Sequence, residues 1–310
     1  MYKIMFSICA HEKYESLLDL IENINFHNKD CAVVIHLAKK FKESELCSNE
    51  KFLEIISEMP NVYINIESIE TSTYSQMNCH LLNYKYLKEN NIEFEYLSIC
   101  NTNDYYLKPG LYDYLKDYDA LIMDTPLKKN WSHYKDMESN EDFMNYLNGD
   151  LKDIKLYQCM LEGNAYKKEI FDKIYTNITS HLDIYRIYNF SIDEVLFTTL
   201  GVYYSKNYKS GQDCQIGYLG DYYINRHYIK KCLKKKDKFS VKRINRPFYD
   251  YQRIYVRDKI QKNTNIYTEL GIEQKKISFI KYWFLDIKNT IWTIVRNYGH
   301  KLKMKIKGGK

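Results

Sequence analysis

The chain has 310 residues, 45% of them apolar and 28% charged, with 11 Gly and 4 Pro. That is ample for a buried core, and it excludes a disordered chain, a collagen-like fibre and a Gly/Ser linker. Net charge is +6, but residues 230–246 carry +8 and residues 296–310 carry +6, leaving −8 for the rest. An acidic body with two basic blocks suits a phosphate, a nucleic acid or an anionic lipid on its C-terminal side.

Strand-like and helical patterns alternate along the chain. Residues 3–9 (KIMFSIC) read as a strand, and 13–24 as a helix with Leu17, Leu18, Ile21 and Ile24 at helical spacing. Residues 31–37 (CAVVIHL), 61–66 (NVYINI), 94–100 (FEYLSIC) and 120–124 (ALIMD) read as further strands. Residues 43–59, 75–89 and 110–118 read as the helices between them. This alternation predicts an α/β fold, a Rossmann-like, mostly parallel sheet flanked by helices. Such sheets bind ligands beyond the carboxyl ends of their strands, here Cys9-Ala10-His11, Leu37-Ala38-Lys39, Ile66-Glu67 and Cys100 to Asp104. The polar stretch 125–156 reads as a functional excursion. A strand at 158–162, helices at 165–178 and 191–204, and a late strand at 216–225 come after it.

The eight cysteines show neither C-x-x-C nor metal spacing, and several sit in apolar runs, which predicts a reduced, cytoplasmic compartment. No leader pattern opens the chain, and no run approaches ~18 apolar residues, so neither export nor a membrane span is predicted. No G-x-G-x-x-G, Walker loop, G-x-S-x-G or H-E-x-x-H occurs, which argues against the corresponding nucleotide, hydrolase and zinc chemistries. Asp117-Tyr118-Asp119 has the spacing of a metal-held sugar-nucleotide motif, but it precedes its strand, and a metal-holding pair comes after one. Asp104 is correctly placed after 94–100 and stands alone; one carboxylate is a weak divalent site, so no metal is expected.

Five segments then form an ordered set across residues 3–246. They are Ser7-Ile8-Cys9-Ala10-His11-Glu12-Lys13 before its Leu-rich helix; Asn101-Thr102-Asn103-Asp104-Tyr105-Tyr106-Leu107-Lys108; and the helix at 165–175. Ser191-Ile192-Asp193-Glu194 with Phe197-Thr198-Thr199-Leu200, and Phe239-Ser240-Val241-Lys242-Arg243, complete it. The set resembles the core-2/I-branching β-1,6-N-acetylglucosaminyltransferase family. The resemblance implies a GT-A-like catalytic domain over residues 1–246 that works without a cofactor. It implies inverting, metal-independent transfer of a sugar, N-acetylglucosamine in type, from a nucleotide-sugar donor such as a UDP-sugar. The acceptor would be a hydroxyl of a glycan or lipid-linked intermediate in surface polysaccharide biosynthesis, capsule or lipopolysaccharide. By resemblance Glu194 is the catalytic base, and His11, Asp104, Lys242 and Arg243 serve the donor nucleotide. Glu162, at the end of a predicted strand, is an acceptor-side candidate. The sequence departs from the family at Ala38, where relatives carry an Asp that helps hold the base, and at Ser72-Thr73-Tyr74, which replaces a Trp-Gly-Gly-like stretch.

The chemistry agrees with these assignments. Inversion needs a carboxylate to take the acceptor proton and positive charge on the departing diphosphate, which Lys and Arg supply without a metal. Plainer readings stay open. Ser191 to Glu194 also spells a capping box, His11 could close a turn, and Asp104 could cap the next segment. As third residue of a helix starting at Ser191, Glu194 is predicted to sit in the positive end of the helix dipole, which favours its ionised form.

Residues 247–276 read as a connecting segment and 277–310 as a basic amphipathic helical tail. Ile277, Ile280, Phe284, Ile287, Ile291 and Ile294 recur at helical spacing, with Lys301, Lys303, Lys305 and Lys307 beyond them. The tail predicts peripheral attachment to the anionic inner face of the cytoplasmic membrane, with packing on the core as the alternative. Two rival functions are a same-fold transferase using UDP-xylose or a CMP-sugar, and a nucleic-acid-binding protein using the basic blocks. The acidic body argues against the second, so no nucleic acid is expected.

Overall fold

A computed structural model describes residues 1–11, 14–39, 49–65, 76–216 and 226–242, with positions 67, 69, 74, 283, 284, 287, 288, 291 and 295. The first half comprises β1 (Tyr2–Ala10), α1 (Tyr14–His27), β2 (Cys31–Leu37), α2 (Asn49–Ser57), β3 (Val62–Asn65), α3 (Gln76–Glu89) and β4 (Phe94–Asn101). Next come β5 (Asp104–Tyr106), α4 (Leu111–Leu115), β6 (Ala120–Ile122), α5 (Tyr134–Glu138), α6 (Glu141–Asn148), β7 (Ala165–Lys167) and α7 (Lys168–His181). The last are α8 (Asp193–Tyr204), β8 (Tyr208–Ser210), β9 (Cys214–Ile216), α9 (Arg226–Leu233) and β10 (Ser240–Lys242).

Seven strands form one sheet, ordered β3-β2-β1-β4-β7-β6-β8. Strands β1 to β4 are parallel, β7 runs antiparallel between β4 and β6, and β8 is parallel to β6. The predicted mixed α/β, mostly parallel architecture is therefore observed. Helices cover both faces, so the central strands are apolar on both sides. β1 sends Met5 to one core and Ile4, Phe6 and Ile8 to the other, while β2 divides Ala32 and Val34 from Val33 and Ile35. Leu81, Leu82, Phe143, Phe171 and Phe197 close the first core; Leu17, Leu18, Ile21 and Phe52 close the second. Each such side chain contributes ~1.5–3 kcal/mol by leaving water.

A smaller sheet, ordered β5-β10-β9, comes after the turn that ends β4. Asn23 of α1 holds its edge: the side-chain amide donates to Tyr106 O at 2.9 Å, and Oδ1 accepts from Tyr106 N at 2.5 Å. A buried polar side chain thus replaces a strand partner.

Three expectations are corrected. The strand at 158–162 is not formed. Tyr157 makes one bridge, to Pro126, and the chain then runs without strand pairing to a turn at Gly163, whose φ is +80°. A Cβ at Gly163 would stand 2.5 Å from Cys214 Cβ, so the turn requires glycine. The strand comes after it, as Ala165–Lys167, and the helix predicted from 165 starts at Lys168. The excursion is also more ordered than its weak periodicity suggests. Its base is clipped by Leu127 N to Leu156 O at 3.0 Å and Gln158 N to Thr125 O at 2.7 Å. Inside it lie α5 and α6; Asn140 Oδ1 accepts from Phe143 N at 3.0 Å as the α6 cap, and Phe143, Tyr146 and Leu147 are buried. The third correction concerns α8, which begins at Asp193 rather than Ser191.

Residues 43–48 of the predicted helix 43–59, 217–225 of the late strand and the connecting segment 247–276 lie outside the described residues. So does most of the tail. Its described positions 283, 284, 287, 288, 291 and 295 are helical, and Trp283, Phe284, Ile291 and Val295 are exposed there. Among the described residues no helix is long and apolar enough to cross a membrane.

Candidate functional site

The chain turns back at β1: β2 and β3 lie on one side of it and β4 on the other. Crevices in open α/β sheets form at such reversals, beyond the carboxyl ends. Cys9 and Asn101 are register partners at this end, so the predicted positions His11 and Asp104 emerge from neighbouring strands.

Asn101 organises one cluster. Its amide donates to Glu162 Oε1 at 2.6 Å and to Gln76 Oε1 at 3.2 Å, while its backbone N–H donates to Asp104 Oδ2 at 2.8 Å. Lys242 Nζ pairs with Glu162 Oε1, the two side chains being only 7% and 3% exposed. Lys242 also stands opposite Asp104 in the β5–β10 register. Asp104 and Lys242, assigned to the donor side, and Glu162, assigned to the acceptor side, therefore form one buried cluster. Asp104 closes the turn between β4 and β5 by accepting from the preceding Asn101 N–H. His11 is exposed at the end of β1, beside Cys9. A hydrogen bond from Cys79 chiefly, aided by His11, draws the buried Cys9 thiol down to about 6. Arg243 lies outside the described residues.

Glu194 organises the other cluster. The capping box is not made: Ile192 occupies the cap position of α8, with no side-chain cap hydrogen bond. The Glu194 carboxylate instead accepts from Trp131 Nε1 at 3.2 Å through Oε2. Burial pushes its pKa up to about 7, while the indole hydrogen bond acts to lower it. The expectation of a dipole-favoured ionised carboxylate is thus corrected, because desolvation outweighs the helix end. Asp193, fully buried beside it, is raised well above the carboxylate range, first by burial and then by Glu194.

The segment preceding Gly163 links the clusters. Cys159 N donates to Glu194 O at 3.0 Å, Cys159 Sγ and Thr198 Oγ1 are 2.7 Å apart, and Glu162 comes three residues later. Three residues of chain span at most about 10 Å, which bounds the distance from the Glu194 backbone to that of Glu162.

Beneath the crevice is a buried neutral network. Ser7 Oγ lies 2.9 Å from His80 Nδ1, Asn83 Nδ2 donates to Ser7 Oγ at 3.0 Å, and burial draws His80 down to about 3. Among the described residues no group of three or more His, Cys, Asp or Glu is placed to hold a metal. Asp119 of the Asp-x-Asp stretch accepts from the Lys206 and Asn207 backbone N–H groups at 2.9 and 3.0 Å and pairs with Lys167. It ties β6 to the loop before β8.

Sequence reasoning missed Trp131, Asn101 as an organiser, and Asp193. Trp131 left one signal: it is a lone Trp in a polar stretch, the other two lying at 283 and 292.

No family model matches the chain, and no curated protein matches it. Among solved structures it is similar to S. aureus TarS, with a TM-score of 0.43 and 11% identity, covering 84% of this chain and 39% of that one. A structure of S. aureus TarS 1-349 gives a TM-score of 0.39 and 11% identity, covering 84% of this chain and 64% of that one. The chain spans less than two thirds of either.

Proposed function

We propose that the protein is a glycosyltransferase of GT-A type. It would move a sugar, of N-acetylglucosamine type, from a nucleotide-sugar donor to a hydroxyl of a glycan or lipid-linked acceptor of a surface polysaccharide, with inversion and without a metal. The observation that carries this reading is Glu194, a half-buried carboxylate with its pKa near neutrality, beside the carboxyl ends of a mostly parallel sheet. The ordered family resemblance assigns the base to the same residue. A base of pKa near 7 is ionised at working pH yet basic enough to take a hydroxyl proton. In this reading the acceptor oxygen attacks the anomeric carbon, its proton passes to Glu194, and the bond to the nucleoside diphosphate breaks. His11 and Asp104 serve the donor side and Glu162 the acceptor side. Lys242 acts with its Glu162 partner, and Arg243 adds charge for the diphosphate.

The decisive variant is Glu194→Gln, which keeps the shape and removes the basicity. Turnover should fall by ~10²-fold or more, with melting temperature and donor binding retained. A folded Gln variant with near-normal turnover would overturn the reading. A panel of UDP- and CMP-sugars scored by thermal shift identifies the donor.

The tail belongs to the same proposal. Exposed apolar side chains at helical positions 283, 284, 291 and 295, with Lys288 among them, support attachment to an anionic membrane. A chain ending at residue 272 should still bind nucleotide and no longer pellet with anionic vesicles. Unfolding on truncation would instead make the tail part of the core.

A further inference from the structure

We infer that Trp131 is the positioning residue of Glu194: its indole N–H holds one carboxylate oxygen and leaves the other for the acceptor hydroxyl. This rests on the reading of Glu194 as the base.

An indole N–H can donate and cannot accept, so its bond to Glu194 Oε2 is strongest when the carboxylate is ionised. Among the described residues it is the one side-chain donor to Glu194. The ring is fixed from below and from the side. Trp131 N donates to Lys128 O at 2.9 Å, Tyr134 N donates to Trp131 O at 3.0 Å, and the Trp131 ring packs against the main core. His133 meets the indole edge-on at 5.3 Å between ring centroids, and Tyr74 meets His133 in the same way at 5.6 Å. The excursion, clipped at Thr125 and Gln158, thus delivers one rigid donor to a residue 63 positions away in sequence. By holding that donor in place, the folded excursion orients the base and extends its ionised range downward in pH.

The surrounding groups do not duplicate this contact. Asp193, on the same helix, is raised well above the carboxylate range, chiefly by its own burial and then by Glu194. Cys159, on the adjoining segment, is pushed up to about 12 by burial. Cys9 acts on Asp193 and Asp193 acts on Cys79, while burial and Trp131 act on Glu194. His133 touches the indole and not the carboxylate in the contacts described.

The test uses full-length protein carrying ¹³C-labelled glutamate. The Glu194 carboxyl resonance is assigned by its loss in Glu194→Gln and titrated in wild type, in Trp131→Phe and in Trp131→Leu, a second variant should Phe pack badly. The wild-type midpoint should lie near 7 and move up by about one unit in both variants, a tenfold change in ionised fraction below the midpoint. The acid limb of the pH–rate profile should move with it, and turnover on the alkaline plateau should also fall, because the ionised carboxylate has lost the contact that orients it. An unchanged or lowered midpoint in the folded variants overturns the inference. Retained turnover in Glu194→Gln would remove the base assignment without altering the titration, so the two failures are distinguishable.

Discussion

Glu162 and Glu194 lie at the two ends of one short segment and are handled in opposite ways. Glu162 is nearly fully buried, and its charge is answered by Lys242 and the Asn101 amide. Glu194 is half-buried, faces an indole in place of a cation, and is pushed up to about 7. A carboxylate with a matched buried partner has its charge compensated where it stands. One that has lost water without gaining a cation is poised between two states, the condition a general base needs. What separates the two carboxylates is the presence of a compensating charge.

The comparison breaks most visibly at Lys242. Lys242→Ala leaves a desolvated carboxylate, and breaking a buried pair from one side costs ~3–5 kcal/mol. Replacing both partners by methionine should recover most of that loss, because two buried charges are then removed together. Urea unfolding of the single and double variants measures both. If the single variant loses less than about 1 kcal/mol, the pair is solvated in solution and the contrast with Glu194 disappears.

A smaller effect is expected at Gly163, which sets the turn that presents Glu162. Its φ of +80° and the 2.5 Å approach of an added Cβ to Cys214 Cβ leave alanine no relaxed position. Gly163→Ala should cost about 1–3 kcal/mol and disturb the Glu162 cluster while leaving the Glu194 titration near 7. Equal disturbance of both carboxylates would mean that the linking segment moves as one body.

These regions are unequally legible in the sequence. The strand at 31–37 reads to its final boundaries because six of its seven residues are apolar and the run is buried on both faces. β5, β8 and β10 have three residues each, too few for a period, and long-range pairing holds them. Gly163 looks in sequence like a residue between a strand and a helix, and the positive φ that defines the turn has no local signature. Glu162 and Lys242 are 80 positions apart, so no spacing rule joins them, although each stands out alone. The sequence singles out Glu194 as a candidate only through an ordered resemblance. Its ionisation is not legible, because that depends on burial contributed by other parts of the chain. Local reasoning sees the helix end and misses the desolvation.

The smallest effect concerns stability against pH, and its sign separates the two carboxylates. Glu194 has a folded-state pKa of about 7, above the ~4.3 of an unfolded glutamate. A carboxyl raised by folding contributes stability that is fully present below ~4.3 and lost as pH rises through 7. Glutamine at 194 does not ionise, so Glu194→Gln should escape this loss. Its melting temperature relative to wild type should be flat below pH 4, rise between pH 5 and 8, and level off above. Exposure to water limits the rise to a few degrees at most. Asp193, raised chiefly by its own burial, is common to both proteins and largely cancels in the difference. Differential scanning fluorimetry across pH 4–9 resolves the curve. A flat difference throughout would return Glu194 to the ordinary carboxylate range and remove its contrast with the paired Glu162.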